Sequence, residues 1–261
     1  MKSDAGSNAE MLAAAAGASP LAAEFNILAG NAAFLNGRMD RATLDFRQAD
    51  SQVPLGESDR FMLALALANL GDTKGAREQF TRLNNSRPNR PLYLYWLARV
   101  DYFERRYLEA VEKLKRVIVL DPASARAYDN LGLGYDMLGK SEEAREALLT
   151  AVDLNRKLPT PSAWPPDNLG YLLLRLRRLK EAETALRESL RYDPRFATAH
   201  YHLGRTLEAE DRDTKRSTNT GWRSPSIRLS SSRSILLGCC IAGTTAQRKP
   251  RRPLPHTSAK P

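Results

Sequence analysis

Cysteine is absent from this chain of 261 residues until Cys239 and Cys240. Nothing before them can build a disulfide framework or a thiolate metal site. Histidine is nearly absent too. Before the final stretch it occurs only at His200 and His202. Two residues apart on a helix they point to different faces, while zinc requires three or four convergent ligands. Long apolar runs are missing as well. The "ILLGCCIAG" stretch from Ile235 is about half the ~20 residues that a membrane-spanning helix needs. "MLAAAAGA" from Met11 resembles the core of a signal peptide, but Asp4 and Glu10 precede it with only Lys2 as a basic leader. That favours a cytoplasmic chain without a signal peptide.

Net charge is also missing from most of the molecule. Residues 215–261 hold 10 of the 40 Lys and Arg and no acid, which accounts for the whole formal charge of +10. The 30 basic residues before them balance the 30 acids. The body therefore lacks the basic footprint of a nucleic-acid binder. It also has no Gly-rich phosphate loop and no nucleophile elbow. Gly132 and Gly134 imitate part of a dinucleotide fingerprint, but no strand precedes them and they fall inside a helical repeat. Acid pairs such as Glu142 and Glu143 read as a solvated helix start. The expectation is a non-enzyme without metal or cofactor.

What the chain does have is a repeat. The tetrad Asp-Asn-Leu-Gly begins at Asp129 and again at Asp167, 38 residues on. Stepping back from Leu131 by 34 reaches Leu97, Leu63 and Ala29, each followed by a small residue: Gly132, Ala98, Ala64 and Gly30. Thirteen positions after each stands Ala42, Ala76, Ala110 or Ala144. Seventeen after stands Phe46, Phe80, Leu114 or Leu148, and Pro54, Pro88 and Pro122 close the first three units. Restarting at Leu169 recovers Gly170, Ala182, Leu186 and Pro194, and Leu203-Gly204 opens another unit. A period of 34 at so many positions marks a repeat array.

Each unit reads as two helices. Tyr128, Leu131, Tyr135 and Leu138 recur at helical spacing, Gly139-Lys140 make a turn, and "SEEAREALLTAVDL" is amphipathic with acids in its first turn. Gly132 and Ala144 let paired backbones approach, while Tyr128, Tyr135 and Leu148 fill the space beside them. Asp121-Pro122 and Asp193-Pro194 end one unit and preset the next. The four extra residues between the tetrads fall in "NRKLPTPSAWPPDN", an insertion that a surface loop tolerates; Trp164 within it is a candidate contact residue.

The set Tyr128-x2-Leu131-Gly132-x2-Tyr135 with Ala144, Leu148 and Ala151 resembles the tetratricopeptide repeat (TPR) family over about residues 1–211. The family's signature tryptophan is replaced by Asn26, Arg60, Leu94, Tyr128, Pro166 and His200. The resemblance implies an all-α solenoid, a superhelix of stacked helix pairs with a concave groove. Full units span 23–56, 57–90, 91–124, 125–158 and 163–196, with a partial unit at 197–211. Leu12, Ala15 and Pro20 keep the register of a second helix, so residues 1–22 read as half a unit.

Such an array binds along a surface instead of in a pocket, so the expected partner is a protein or peptide. In the family the first helix of each unit lines the groove. The residue before each framework position is Leu28, Met62, Trp96, Asn130, Asn168 or His202. Asn130 and Asn168 resemble rungs of an asparagine ladder that grips a peptide backbone, since an amide offers donor and acceptor. Tyr95, Trp96, Arg99 and Tyr102 have the composition of an interface hot spot, or of core between repeats. The lysine clamp of carboxylate-tail binders is not matched, because Ile27, Phe61, Tyr95, Asp129, Asp167 and Tyr201 stand there.

From residue 212 helical periodicity ends. Arg216, Thr220 and Arg228 occupy the next framework places. The basic tail cannot bury enough apolar surface to offset its ordering entropy, so it is expected to be disordered; a shifted reading frame near Asp213 would produce such a break. Two classes of function stay open: a free-standing interaction module, or a repeat segment of a larger enzyme or transferase assembly with catalysis elsewhere. Binding of nucleic acid or an anionic surface would rest on the tail alone.

Overall fold

The computed structural model describes residues 20–210. Among these residues there are eleven helices and no strand. They run α1 (Pro20–Leu35), α2 (Met39–Asp50), α3 (Glu57–Leu70), α4 (Thr73–Ser86), α5 (Pro91–Phe103), α6 (Tyr107–Leu120), α7 (Ala125–Met137), α8 (Ser141–Arg156), α9 (Trp164–Arg175), α10 (Leu179–Tyr192) and α11 (Ala197–Ala209). Five helix pairs are followed by one further first helix, an all-α solenoid. The half unit expected before Pro20 and the tail beyond Glu210 lie outside the described residues.

Second helices are amphipathic because only one face meets the array. In α10, Ala182, Ala185, Leu186 and Ser189 are buried along one stripe while Lys180, Glu181, Thr184 and Arg187 face water. First helices are enclosed by several neighbours and bury more of their circumference. α5 buries every residue from Tyr93 to Asp101.

The turn between paired helices repeats with the same register. Gly37, Gly71, Arg105, Gly139 and Arg177 all adopt left-handed backbone. The next residue donates its N–H five residues back, as in Asp72 to Leu67 O (2.9 Å) and Arg178 to Leu173 O (2.9 Å), the closure of a Schellman motif. Arg105 and Arg177 do this without glycine, at a cost of about 1–2 kcal/mol each.

The small framework residues act as expected. A Cβ built on Gly132 would lie 2.5 Å from Leu148 Cγ and 3.0 Å from Ala144 O. The α7–α8 backbones are therefore as close as glycine permits. The insertion between Arg156 and Trp164 is pinned by Asn155, whose amide donates to Ser162 O (2.8 Å) and accepts from Ser162 N–H (2.8 Å). Pro165 and Pro166 lie inside the first turn of α9, where a missing N–H costs nothing. Trp164 meets Phe196 edge-on at 4.8 Å, joining α9 to the start of the next unit.

Candidate protein-binding groove

Curvature follows from which helices touch. α1 contacts α3, α5 contacts α7, α7 contacts α9 and α9 contacts α11, while second helices of neighbouring units do not pair comparably. First helices therefore line the inner, concave side.

A polar ladder runs along that side. From the third unit on, the residue two before the framework position bonds the residue one before the framework of the next unit. Asn130 Nδ2 donates to Tyr95 Oη (3.2 Å). Asn168 Nδ2 donates to both carboxylate oxygens of Asp129 (2.9 and 3.1 Å). His202 Nδ1 lies 2.9 Å from Asp167 Oδ1. A turn further along, Arg175 pairs with Asp136. The tetrad thus has a physical reason. Its Asp and Asn are complementary across a seam, its Leu fills the core, and its Gly admits the second helix.

The asparagines predicted to grip a ligand have their amide donors committed within the array. Asn130 also donates to Arg126 O (2.9 Å). Each amide also carries an Oδ1 acceptor. Trp96 is core: it is buried and stacked on Phe80 with ring centroids 5.7 Å apart, beside Phe61. Tyr95 and Arg99 lie on the same α5 face. Both are buried, and the guanidinium lies over the rings of Trp96 (5.1 Å), Tyr95 (5.9 Å) and Phe103 (6.0 Å). Tyr102 is half-buried against Tyr107 and Phe103, and burial pushes its hydroxyl up to about 12.

Sequence reasoning missed the C-terminal part of this face. Tyr171 stacks on His202 (4.8 Å) with Arg175 over its ring (5.9 Å). Tyr201 carries Arg205 over its ring (5.9 Å), and Arg205 donates to its hydroxyl (3.1 Å). Both tyrosines and both arginines are exposed. Tyr201 holds the same place as Tyr95, two before the framework, while Tyr171 and Arg205 stand two after Leu169 and Leu203 and Arg175 six after Leu169, places that the repeat spacing does not constrain.

Buried charge concentrates at Asp129. Burial raises its carboxyl from 3.8 to about 6, against the opposing hydrogen bond from Asn168 and the charge of Arg99. Elsewhere a shallow cavity of about 370 Å³ is lined by Leu55, Glu57, Arg60, Arg82 and Arg87. Its arginines are engaged by Asp50, Glu78 and Glu57, so it reads as a packed ion-pair network. Among the described residues no cluster of three or more metal-ligating side chains occurs. None of these helices is long and apolar enough to cross a membrane.

A curved stack of helix pairs with one continuous inner face defines a class, the repeat scaffold that engages proteins along a surface. The chain belongs to the tetratricopeptide repeat family: a family model of that description matches residues 9–57, 97–160 and 168–215, and a second matches 44–90. The Saccharomyces cerevisiae anaphase-promoting complex subunit CDC16 is 25% identical over 181 residues, covering 67% of this chain and 21% of that protein. The chain thus spans about a fifth of that relative's length. A chain of the APC/C hetero-tetramer Cut9–Hcn1 matches with a TM-score of 0.68 and 18% identity, over 84% of this chain and 43% of that one. Pseudomonas aeruginosa pilF matches at 0.60 and 20% identity, over 76% and 88%. These two likenesses are of fold.

Proposed function

We propose that the array is a non-catalytic module that holds an extended peptide or protein segment along its concave face, from α5 to α11. The observation that carries this reading is the ladder. It fixes successive first helices to one another and places the Asn130 and Asn168 amides on neighbouring units, with exposed Tyr171, Arg175, Tyr201 and Arg205 further along the same helices. An extended backbone offers N–H groups that an amide oxygen can accept, and exposed Tyr and Arg supply the anchors typical of interfaces. Tyr95 and Arg99 of α5 are buried and support this face from beneath.

The test uses an immobilised array of random twelve-residue peptides probed with the full chain. Retained peptides should lose binding to the pair Tyr171→Ala/Tyr201→Ala and to Asn130→Ala/Asn168→Ala, with helicity checked by circular dichroism. Leu149→Ala, on the outer helix α8, should bind as before. Equal retention by all three variants would move the binding surface off the groove.

A second reading is favoured by the similarity to CDC16: the chain would be a repeat segment working inside a larger multi-subunit assembly. Co-isolation of the tagged chain with stable subunits from its own cells supports it, and recovery of the chain alone argues against it.

A further inference from the structure

Resting on the groove reading, we infer that the segment held over α9 and α11 is proline-rich and docks in polyproline II conformation on Tyr171, His202 and Tyr201.

The three rings come from neighbouring units and make one strip. Tyr171 of α9 stacks on His202 of α11, with centroids 4.8 Å and ring planes 27° apart. Tyr201 meets the same histidine at 5.6 Å. The two tyrosines are 41% and 55% exposed, so their rings are open to a ligand. Each member is nevertheless held. His202 Nδ1 lies 2.9 Å from Oδ1 of buried Asp167, and the Arg175 and Arg205 guanidinium groups lie over Tyr171 and Tyr201, each at 5.9 Å. Rings fixed in advance lose little freedom when a ligand lands on them.

The groups at the edges of the strip are donors. Arg175 engages Asp136 and Arg205 engages the Tyr201 hydroxyl, each through Nη1, while a guanidinium carries five N–H donors. Because Tyr201 Oη accepts from Arg205, its own O–H is turned to another acceptor. The segment suited to this strip brings flat apolar rings, and carbonyl acceptors in place of N–H groups. Proline supplies both. Its ring packs on an aromatic face, it has no N–H, and in polyproline II conformation the backbone makes no internal hydrogen bonds. An acidic segment fits less well. Arg175 is already paired with Asp136, and two buried carboxylates, Asp129 and Asp167, stand in the adjoining rungs. An amphipathic helix would need an apolar stripe over several turns, and the two guanidinium groups interrupt one here.

The test is fluorescence anisotropy of fluorescein-labelled decaproline with the full chain, beside ten-residue Gly-Ser and glutamate peptides. Decaproline should bind at least about tenfold more tightly than either. Tyr171→Ala/Tyr201→Ala should weaken it about tenfold, the loss of two ring contacts. Tyr171→Phe/Tyr201→Phe keeps the rings and should stay within about threefold of the parent. Both side chains are exposed, so the alanine pair should keep its helicity in circular dichroism. Equal binding of decaproline and the Gly-Ser peptide overturns the inference, and so does decaproline binding that survives the alanine pair. A glutamate peptide that binds more tightly than decaproline and is lost with the tyrosines overturns it too, in favour of an acidic partner. The groove reading fails separately: random peptides retained through Tyr171 and Tyr201 with no excess of proline over the array would uphold that reading and overturn this one.

Discussion

Gly132 and Gly204 occupy the same place in their repeats, yet the structure assigns them opposite responses to alanine. At Gly132 a new Cβ would meet Leu148 Cγ at 2.5 Å, Leu148 Cδ2 at 2.9 Å and Ala144 O at 3.0 Å. Leu148 is fully buried, and the third contact is backbone, so neither can move freely. Overpacking of this kind costs about 1–3 kcal/mol. At Gly204 no described residue lies within 4 Å of the added atom. Alanine in mid-helix is favoured over glycine by about 1 kcal/mol at both sites. That gain cancels in the comparison, so the two variants should differ by about 1–3 kcal/mol. Gly204→Ala should be neutral or stabilising and Gly132→Ala destabilising. Urea unfolding followed by circular dichroism and tryptophan fluorescence measures the difference; for a chain of this size it corresponds to about 2–4 °C per kcal/mol in melting temperature. Because arrays can unravel from an end, hydrogen exchange in α11 should accompany the global curve. Adding Leu148→Ala should absorb part of the Gly132→Ala penalty, with a coupling of about 1 kcal/mol or more. Equal shifts at the two glycines, or additive effects with Leu148→Ala, would refute the close-packing account.

Two further outcomes follow from the ladder and the turns. The Asp129 carboxyl sits at about 6 when folded against an ordinary 3.8, so between those values the folded state holds a proton that the unfolded chain has released. Its contribution to stability is therefore present at low pH and lost as pH rises through about 6; Asp129→Asn should flatten that slope by about 3 kcal/mol across the window, and parallel stability curves for both proteins would refute the burial argument. At Arg177, left-handed backbone without glycine is strained, so Arg177→Gly should raise the unfolding free energy by about 1 kcal/mol and the midpoint with it. A lower midpoint would mean that the arginine side chain contributes more than its backbone costs.

The helix pairs were legible in the sequence because their cause is local. The spacing from Gly132 to Ala144 and Leu148 records how closely two consecutive helices must approach, and that requirement is met within one stretch of chain. The turn was half legible. Gly37, Gly71 and Gly139 announce left-handed backbone, whereas Arg105 and Arg177 adopt it with no letter to signal it, held there by the same helix ends. The groove could not be read in this way. Asn130 and Asn168 looked like free amides because their partners, Tyr95 and Asp129, are 35 and 39 residues distant and meet them only through the superhelical offset between units. Trp96 could be read from sequence as a surface anchor or as core between repeats, and stacking against Phe80 of the previous unit makes it core. Sequence by itself determined the repeat, its period and its packing glycines, since these depend on neighbours along the chain. Tertiary structure decided which polar residues are rungs and which are exposed, because that depends on the rotation from one unit to the next.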